Sequence, residues 1–454
     1  MDQTSLRAQL EQALSAEPPL GNLVGNSLRA GRKLRRRRRA GAAALSAAVV
    51  VVVGAAATLM SGAGHKARQP QPVAAADGRT AYVAVGTDDV VPISLATNAV
   101  GTPIRVPVTA DTGLNTTYAA VTPDGRTVYE VGMTAGRPDT TVTPIDTATH
   151  VAGPTITLPN AYPSSIAIDP NGQTAYLGGQ DGVYPINIAT NTAGKRITIP
   201  GLSWAMAFTP DGKTLYVLDD VGYGTLTVTP ILTATNTALA PITILPKGTR
   251  NPAPYGWDIG ITPNGKTAYV VAGVQEGKPY DSSVVPVDLV TNRALAPIKL
   301  EASGLASGLV IAPGGSTAYV LSSRAVTPID TTTNQAEPAI NLPGSAGYAD
   351  SMALTPNGKT LYVFTPRGVV PIRTASRTVL PMITIPGIAP FTDAAAITPD
   401  GKTVYVATST DVVPVSTATN TAGSPINVSA AVGPQSCPVK RSCVPAPIGI
   451  AFAR

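Results

Sequence analysis

Charge is scarce in this sequence, and so are the side chains that most often do chemistry. Only 13% of its 454 residues are Asp, Glu, Lys or Arg, and histidine, cysteine and tryptophan occur twice each. His65 follows an apolar run and His150 sits in a polar turn, so a Ser–His–Asp triad or a His-built zinc site has no material here. Two cysteines are too few for a disulfide-dense scaffold or a four-cysteine metal site. No glycine loop stands between a strand and a helix, which removes the usual phosphate cradle. Glycine and proline, by contrast, number 43 each, and 44% of residues are hydrophobic. A disordered chain lacks that much apolar material. Many short strands joined by tight turns require it.

The net charge of +6 is confined to one end. Residues 1–39 hold nine Lys/Arg against three Asp/Glu, and the remainder holds 24 of each sign. The bulk of the chain therefore has no net attraction for phosphate, and nucleic acid is not an expected partner. Arg35 to Arg39 form an unbroken basic run, and Ala40 to Gly64 follow without a charge. An apolar stretch of this length can span a bilayer, with the basic end cytoplasmic. The expectation is a basic cytoplasmic leader (1–39), a transmembrane anchor (40–62), a linker (63–73) and an extracytoplasmic domain (74–454). A cleaved signal, with a small-residue site at Ala55-Ala56-Ala57, is the alternative and would give a secreted protein. Leu6, Leu10, Ala13 and Leu14 recur at helical spacing, which predicts a short amphipathic helix over 4–16. In an exported domain, Cys437 and Cys443 should form a local disulfide.

Self-similarity dominates the rest. The motif Thr-Pro-Asp-Gly-Lys-Thr-x-Tyr-Val recurs, in intact or varied form, around Tyr82, Tyr129, Tyr176, Tyr216, Tyr269, Tyr319, Tyr362 and Tyr405, 40 to 53 residues apart. Each copy reads as four strands: an alternating strand a, an Asp-Gly or Asn-Gly turn, the Tyr-bearing strand b, strand c, a Thr-x-Thr-Asn turn, and strand d. Strand c carries a proline in every copy, from Pro92 to Pro414, which predicts a bulge or an unpaired amide position there. In the last copy strand d is expected over 424–428. The first copy lacks strand a, and the chain ends in an orphan strand, Ile448 to Ala453. That strand can complete the first copy and close a ring. The expected fold is all-β: a closed eight-bladed β-propeller of four-stranded antiparallel blades, with seven blades as the alternative, preceded by one transmembrane helix.

The run TPDGKTVYVAT at Thr398 to Thr408, followed by a Val-Pro-Val strand and Thr-Ala-Thr-Asn-Thr, resembles the YVTN-type β-propeller repeat of bacterial and archaeal surface proteins. The resemblance covers residues 77–454. In strand c a proline precedes the Ile or Val, and the Asp usual in the family's strand c survives only at Asp146, Asp288 and Asp330. The Asn that ends the family's motif is absent. The resemblance implies the fold and a cell-surface location, here a bacterial membrane crossed once, and implies no reaction.

Alternating strands put the uniform a–b and c–d turns on one face and the variable b–c and d–a loops on the other. Binding is expected on the variable face. The b–c loops lengthen at 132–140, 219–224 and 272–283. One rim position, six residues before the turn proline, reads Thr117, Ser164, Trp204, Trp257, Ser307, Asp350 and Asp393, with Ile448 in the closing strand. Trp204, Trp257, Asp350 and Asp393, with Tyr255 and Tyr348 from nearby loops, are the candidate ligand-binding residues. A cell-wall glycan or a protein partner would suit them. The tryptophans can equally cap blade interfaces. No cofactor, no metal ligand set and no catalytic residue is expected. Ca²⁺ held by paired carboxylates (Asp350 with Asp393, or Asp219 with Asp220) is the alternative, against solvated loop acids. A monomeric binding scaffold is the expected role, and a lactonase-like or quinoprotein-dehydrogenase-like enzyme using loop carboxylates is the second reading.

Overall fold

The repeat folds around one turn. In the second copy, Thr122 Oγ1 donates to Asp124 Oδ1 at 2.6 Å and accepts from the N–H of Thr127 at 3.0 Å. Asp124 Oδ1 also accepts from the N–H of Arg126 at 3.0 Å. Gly125 then takes φ +72°, where a side chain is strained. The Thr hydroxyl makes the same bond to Asp211, Asn264, Asn357 and Asp400 in other copies. Asp and Asn serve alike because the turn uses an acceptor oxygen and no charge.

In the computed structural model, placement is described for residues 80–85, 89–106, 118–133, 139–180, 182–222, 225–245, 255–274, 281–300, 305–349, 351–385, 395–408, 410–432 and 447–453. The leader, the 40–62 run, the linker, Cys437 and Cys443 lie outside them. Among the described residues no helix is long and apolar enough to cross a membrane.

Eight antiparallel sheets follow one another along the chain, each ordered d–c–b–a. The a strands of blades 2 to 8 are Tyr118–Val121, Ser165–Ile168, Leu202–Phe208, Tyr255–Ile261, Ala306–Ile311, Ser351–Leu354 and Ala395–Ile397. Blade 1 receives its a strand from the carboxyl terminus: Pro447–Ala453 pairs with strand b, Thr80–Val85, in the register Thr80↔Ala453, Tyr82↔Ala451 and Ala84↔Gly449. The a strands touch in cyclic order, and Pro447–Ala453 contacts both Ala395–Ile397 and Tyr118–Val121. The ring therefore has eight blades, and seven is excluded.

Apolar packing runs between blades. Eight buried clusters each span two consecutive blades. At the closure, Ala81, Val83 and Ile93 of blade 1 pack with Tyr405, Ala407 and Val412 of blade 8. The marker tyrosines add a latch. Each ring is buried, and the hydroxyls of Tyr82, Tyr129, Tyr176, Tyr216, Tyr269, Tyr362 and Tyr405 bond the c–d turn of the next blade. Tyr129 donates to Asn191 Oδ1 at 2.6 Å, Tyr216 to Asn292 at 2.9 Å and Tyr362 to Asn420 at 2.7 Å. Tyr405 of blade 8 makes the bond to Asn98 of blade 1 at 2.8 Å, so the closure uses the same Tyr–Asn bond as the joints between blades 2 to 6 and between blades 7 and 8. These asparagines sit near φ +50°, a region Asn tolerates better than most residues. Each bond is worth about 1 kcal/mol net. Burial pushes the Tyr129 phenol up to about 12, so the donor proton stays in place at any ordinary pH.

The strand c proline has a simple accommodation. In an antiparallel ladder a residue's N–H and C=O point to the same neighbour. The proline carbonyl accepts from strand d in all eight blades, for example Gly423 N–H to Pro414 O at 2.7 Å and Leu239 N–H to Pro230 O at 2.8 Å. The missing donor therefore also faces strand d, and strand d breaks there. In blade 8 it is Thr421–Ala422 and then Ile426–Asn427, rather than the continuous strand expected over 424–428.

Candidate functional site

In four blades the rim position compared across copies is a β-bulge position. In blade 4 the register jumps between Ser203 and Ala205, leaving Trp204 as the extra residue. The jump falls between Gly256 and Asp258 in blade 5, leaving Trp257, and between Ala306 and Gly308 in blade 6, leaving Ser307. In the closing strand the pairing passes from Gly449 to Pro447 and skips Ile448. Bulges re-aim a side chain and gather at barrel rims and binding sites. Spacing alone placed these residues in line, but a bulge has no sequence signature when its residue is not glycine. Strand a of blade 4 contacts strand a of blade 5, so the two tryptophan positions are neighbours at one level of the inner ring.

The remaining candidates divide. Trp204 is half-buried. Tyr255 and Trp257 lie on strand a of blade 5, and their side chains are outside the described residues, as are Asp350 and Asp393 altogether. Tyr348, in the d–a loop into blade 7, is 62% exposed. The Arg324 guanidinium carbon stands 4.8 Å from its ring centroid, a cation–π distance.

Hydroxyls crowd the same level of the inner strands. Tyr118 Oη and the Oγ atoms of Ser165, Ser203 and Ser351 are buried without a partner among the described residues. Ser165 and Ser203 come from adjacent blades and converge on Gly178. A Cβ there would stand 2.8 Å from one hydroxyl oxygen and 2.4 Å from the other, so a larger residue would force both serine side chains to turn away.

Besides Asp169 in the a–b turn of blade 3, three carboxyl groups are buried among the described residues, and sequence reasoning missed these three. Asp219 was grouped with Asp220 as a loop acid in a long b–c loop. Strand b of blade 4 instead continues through Gly222, and strand c resumes at Thr225. Asp219 pairs with Ser203 on one side and Thr227 on the other. It is fully buried and accepts from Thr227 Oγ1 at 2.6 Å and Thr229 Oγ1 at 2.9 Å. Burial pushes its carboxyl up to about 6, against the two hydroxyl bonds. Asp258 accepts from its neighbour's N–H (Ile259, 2.8 Å) and from Leu309 N–H of the next blade's a strand at 2.9 Å. Burial raises it to about 7. Glu130, which interrupts the Tyr-Val pattern of blade 2, is also buried and shifted well upward by desolvation. The signal available in the sequence was a carboxylate at a strand b position (Glu130, Asp219) or a strand a position (Asp258) that other copies fill with small, apolar or hydroxyl residues. Among the described residues no group of three or more His, Cys, Asp or Glu could hold a metal ion.

On the opposite face, Tyr82 bonds His150 Nδ1 at 2.9 Å, at the turn position that holds Asn in six blades and Arg377 in blade 7. A groove of about 460 Å³ lies beside it, between blades 1 and 2, lined by Pro92, Val100, Pro103 and His150.

No protein-family model matches the chain, and no curated protein sequence matches it. Solved structures do. One is the Kuenenia stuttgartiensis hydrazine synthase, at 20% identity and a TM-score of 0.51, covering 66% of this chain and 95% of that one. Another is the dihydro-heme d1 dehydrogenase NirN in complex with DHE, at 14% identity and a TM-score of 0.57, covering 80% of this chain and 76% of that one. At these identities the likeness shows the propeller fold alone.

Proposed function

We propose that this chain is an extracytoplasmic binding scaffold of the YVTN-repeat kind, held in the membrane by residues 40–62, whose b–c/d–a rim takes a cell-wall glycan or a protein partner. The observation that carries the reading is the bulge at one rim position of blades 1, 4, 5 and 6, which puts the Trp204 and Trp257 positions on neighbouring strands of the inner ring. A half-buried tryptophan, Trp204, near buried hydroxyls suits the apolar face and hydroxyls of a sugar. Binding of soluble cell-wall glycan fragments to the detergent-solubilised full chain, measured by calorimetry, is expected to weaken roughly tenfold or more in Trp204→Ala. Unchanged affinity in that variant would remove the rim from the account.

Anchoring has its own test. The basic run before an uncharged apolar stretch supports a single span with the propeller outside. The full chain should sediment with membranes after alkaline carbonate washing and keep residues 1–39. A mature protein starting near residue 58, found in the medium, would replace the anchor with a cleaved signal. The second reading, an enzyme using loop carboxylates, is favoured by one observation: the two similar structures named above are a synthase and a dehydrogenase.

A further inference from the structure

Two adjacent blades present an arginine at the same place on the variable rim. The b–c hairpin of blade 6 closes with Ser322 opposite Ala325, and that of blade 7 with Thr365 opposite Gly368. Each turn therefore has two residues, and the second is Arg324 in one and Arg367 in the other. The corresponding sequence position holds Asp181 in blade 3 and Thr410 in blade 8. The scaffold repeats while this side chain does not, so turn geometry is not what selects arginine here.

Both guanidinium groups serve one loop, the d–a connection from Leu342 to Ala349. Leu342 N–H donates to Arg324 O at 2.9 Å, and Ala349 N–H donates to Ser323 O at 2.9 Å. Arg367 Nη1 donates to Ser345 O at 3.0 Å. Ala346 and Ala349 are buried, which pins the loop from below. Between them Tyr348 stands out into solvent with Arg324 stacked on its ring. Ser345 and Tyr348 are three residues apart, a span of at most about 11 Å. Neither arginine forms an ion pair among the described residues, whereas Arg126, Lys213, Arg377 and Lys402 do.

We propose that Arg324, Arg367 and Tyr348 form a subsite for an acidic saccharide, one whose sugar ring carries a carboxylate. The inference rests on the rim-binding reading above and gives that rim a ligand class. The loop is tied at both ends and in the middle, so little ordering is left to oppose binding. A guanidinium has further N–H donors beyond the bond or stack it already makes, in a fork that matches a carboxylate. Tyr348, with Arg324 holding it in place, offers aromatic surface to the C–H face of a sugar. An acidic peptide satisfies the arginines but has no comparable use for an exposed, braced ring.

The test uses the full chain in detergent and three probes: a galacturonic acid oligomer, a neutral glucose oligomer of equal length, and poly-glutamate. The galacturonate is expected to bind, to bind more tightly than the other two, and to lose roughly tenfold in each of Arg324→Gln, Arg367→Gln and Tyr348→Ala. Its affinity should also fall as salt is raised through the range where the Debye length shrinks below about 10 Å. All three positions are exposed, so melting temperatures should stay at the parent value and certify the fold. Tighter binding of poly-glutamate would assign the patch to an acidic protein partner and overturn the inference. So would galacturonate affinity unchanged in the Arg324→Gln/Arg367→Gln double variant. Loss of all saccharide binding in Trp204→Ala with no effect of the arginine variants would leave the rim reading standing and remove this subsite.

Discussion

Ending the chain at residue 446 is expected to abolish cooperative folding of the propeller. Of the eight residues removed, seven are the whole inner strand of blade 1. Without them strand b, Thr80–Val85, presents a bare row of backbone donors and acceptors, and Tyr82 and Val83, now fully buried, lose their cover on one edge. The loss spreads, because Pro447–Ala453 also touches the a strands of blades 2 and 8 and so completes the inner ring. Net stabilities of domains are only about 5–15 kcal/mol, and an opened ring with a missing strand exceeds that margin. The truncated chain should show no sharp thermal transition by circular dichroism, should bind a hydrophobic dye, and should aggregate through the exposed edge. A circular permutant that carries residues 447–453 ahead of Thr80 should fold, since the strand's role is positional. A truncated chain that melts within about 2 °C of the parent would show that the ring does not depend on its closing strand.

That closure was legible in the sequence because the evidence for it is bookkeeping: one copy lacked its first strand and the chain ended with a spare one. The turn chemistry was legible for a similar reason, since Thr-Pro-Asp-Gly states its own hydrogen bonds. The Tyr–Asn latch was not. Its partners lie 58 to 76 residues apart in most blades and 307 apart at the closure. Both had been assigned local duties, the tyrosine in a strand and the asparagine in a turn, and a repeat reading compares copies without asking what one copy hands to the next. The strand c proline was recognised as an oddity, and its consequence fell on the neighbouring strand d. On the variable face, Trp204 and Tyr348 drew notice as rare aromatics. Arg324 and Arg367 did not, because arginines in two-residue turns look like ordinary solvated charge until the loop they clasp is seen. Asp219 illustrates the opposite error. Two adjacent aspartates before a glycine read as a loop, but threonines two and four places into strand c supply the hydroxyls that let the first of them enter the sheet.

Asp219 should consequently make the propeller less stable as pH rises from about 4 to 7, and Asp219→Asn should remove much of that decline. Burial lifts the carboxyl from an ordinary 3.8 to about 6 in the folded state. Below about 4 the group is protonated both folded and unfolded, and it costs nothing extra. Between about 4 and 6 the unfolded chain releases the proton while the folded chain holds it, so each step up in pH favours unfolding. Above the folded value the ionised group is buried in full, at a cost of about 3 kcal/mol for a shift near two units. Asp258, raised to about 7, acts in the same direction and extends the decline toward neutrality. Asparagine at 219 keeps the geometry: its carbonyl accepts from one threonine hydroxyl, and its amide donates to the other, which can turn to accept. The expected result is a melting temperature equal to the parent's near pH 4 and several degrees higher at pH 8. The slope that remains would then come from Glu130, which burial also raises, and from Asp258, whose two partners are backbone N–H groups. These can only donate, so an amide there would turn its own N–H against one of them, and Asp258→Asn should destabilise at every pH. A melting temperature lowered at both pH 4 and pH 8 by Asp219→Asn would mean that the carboxylate is bound more favourably than its burial indicates.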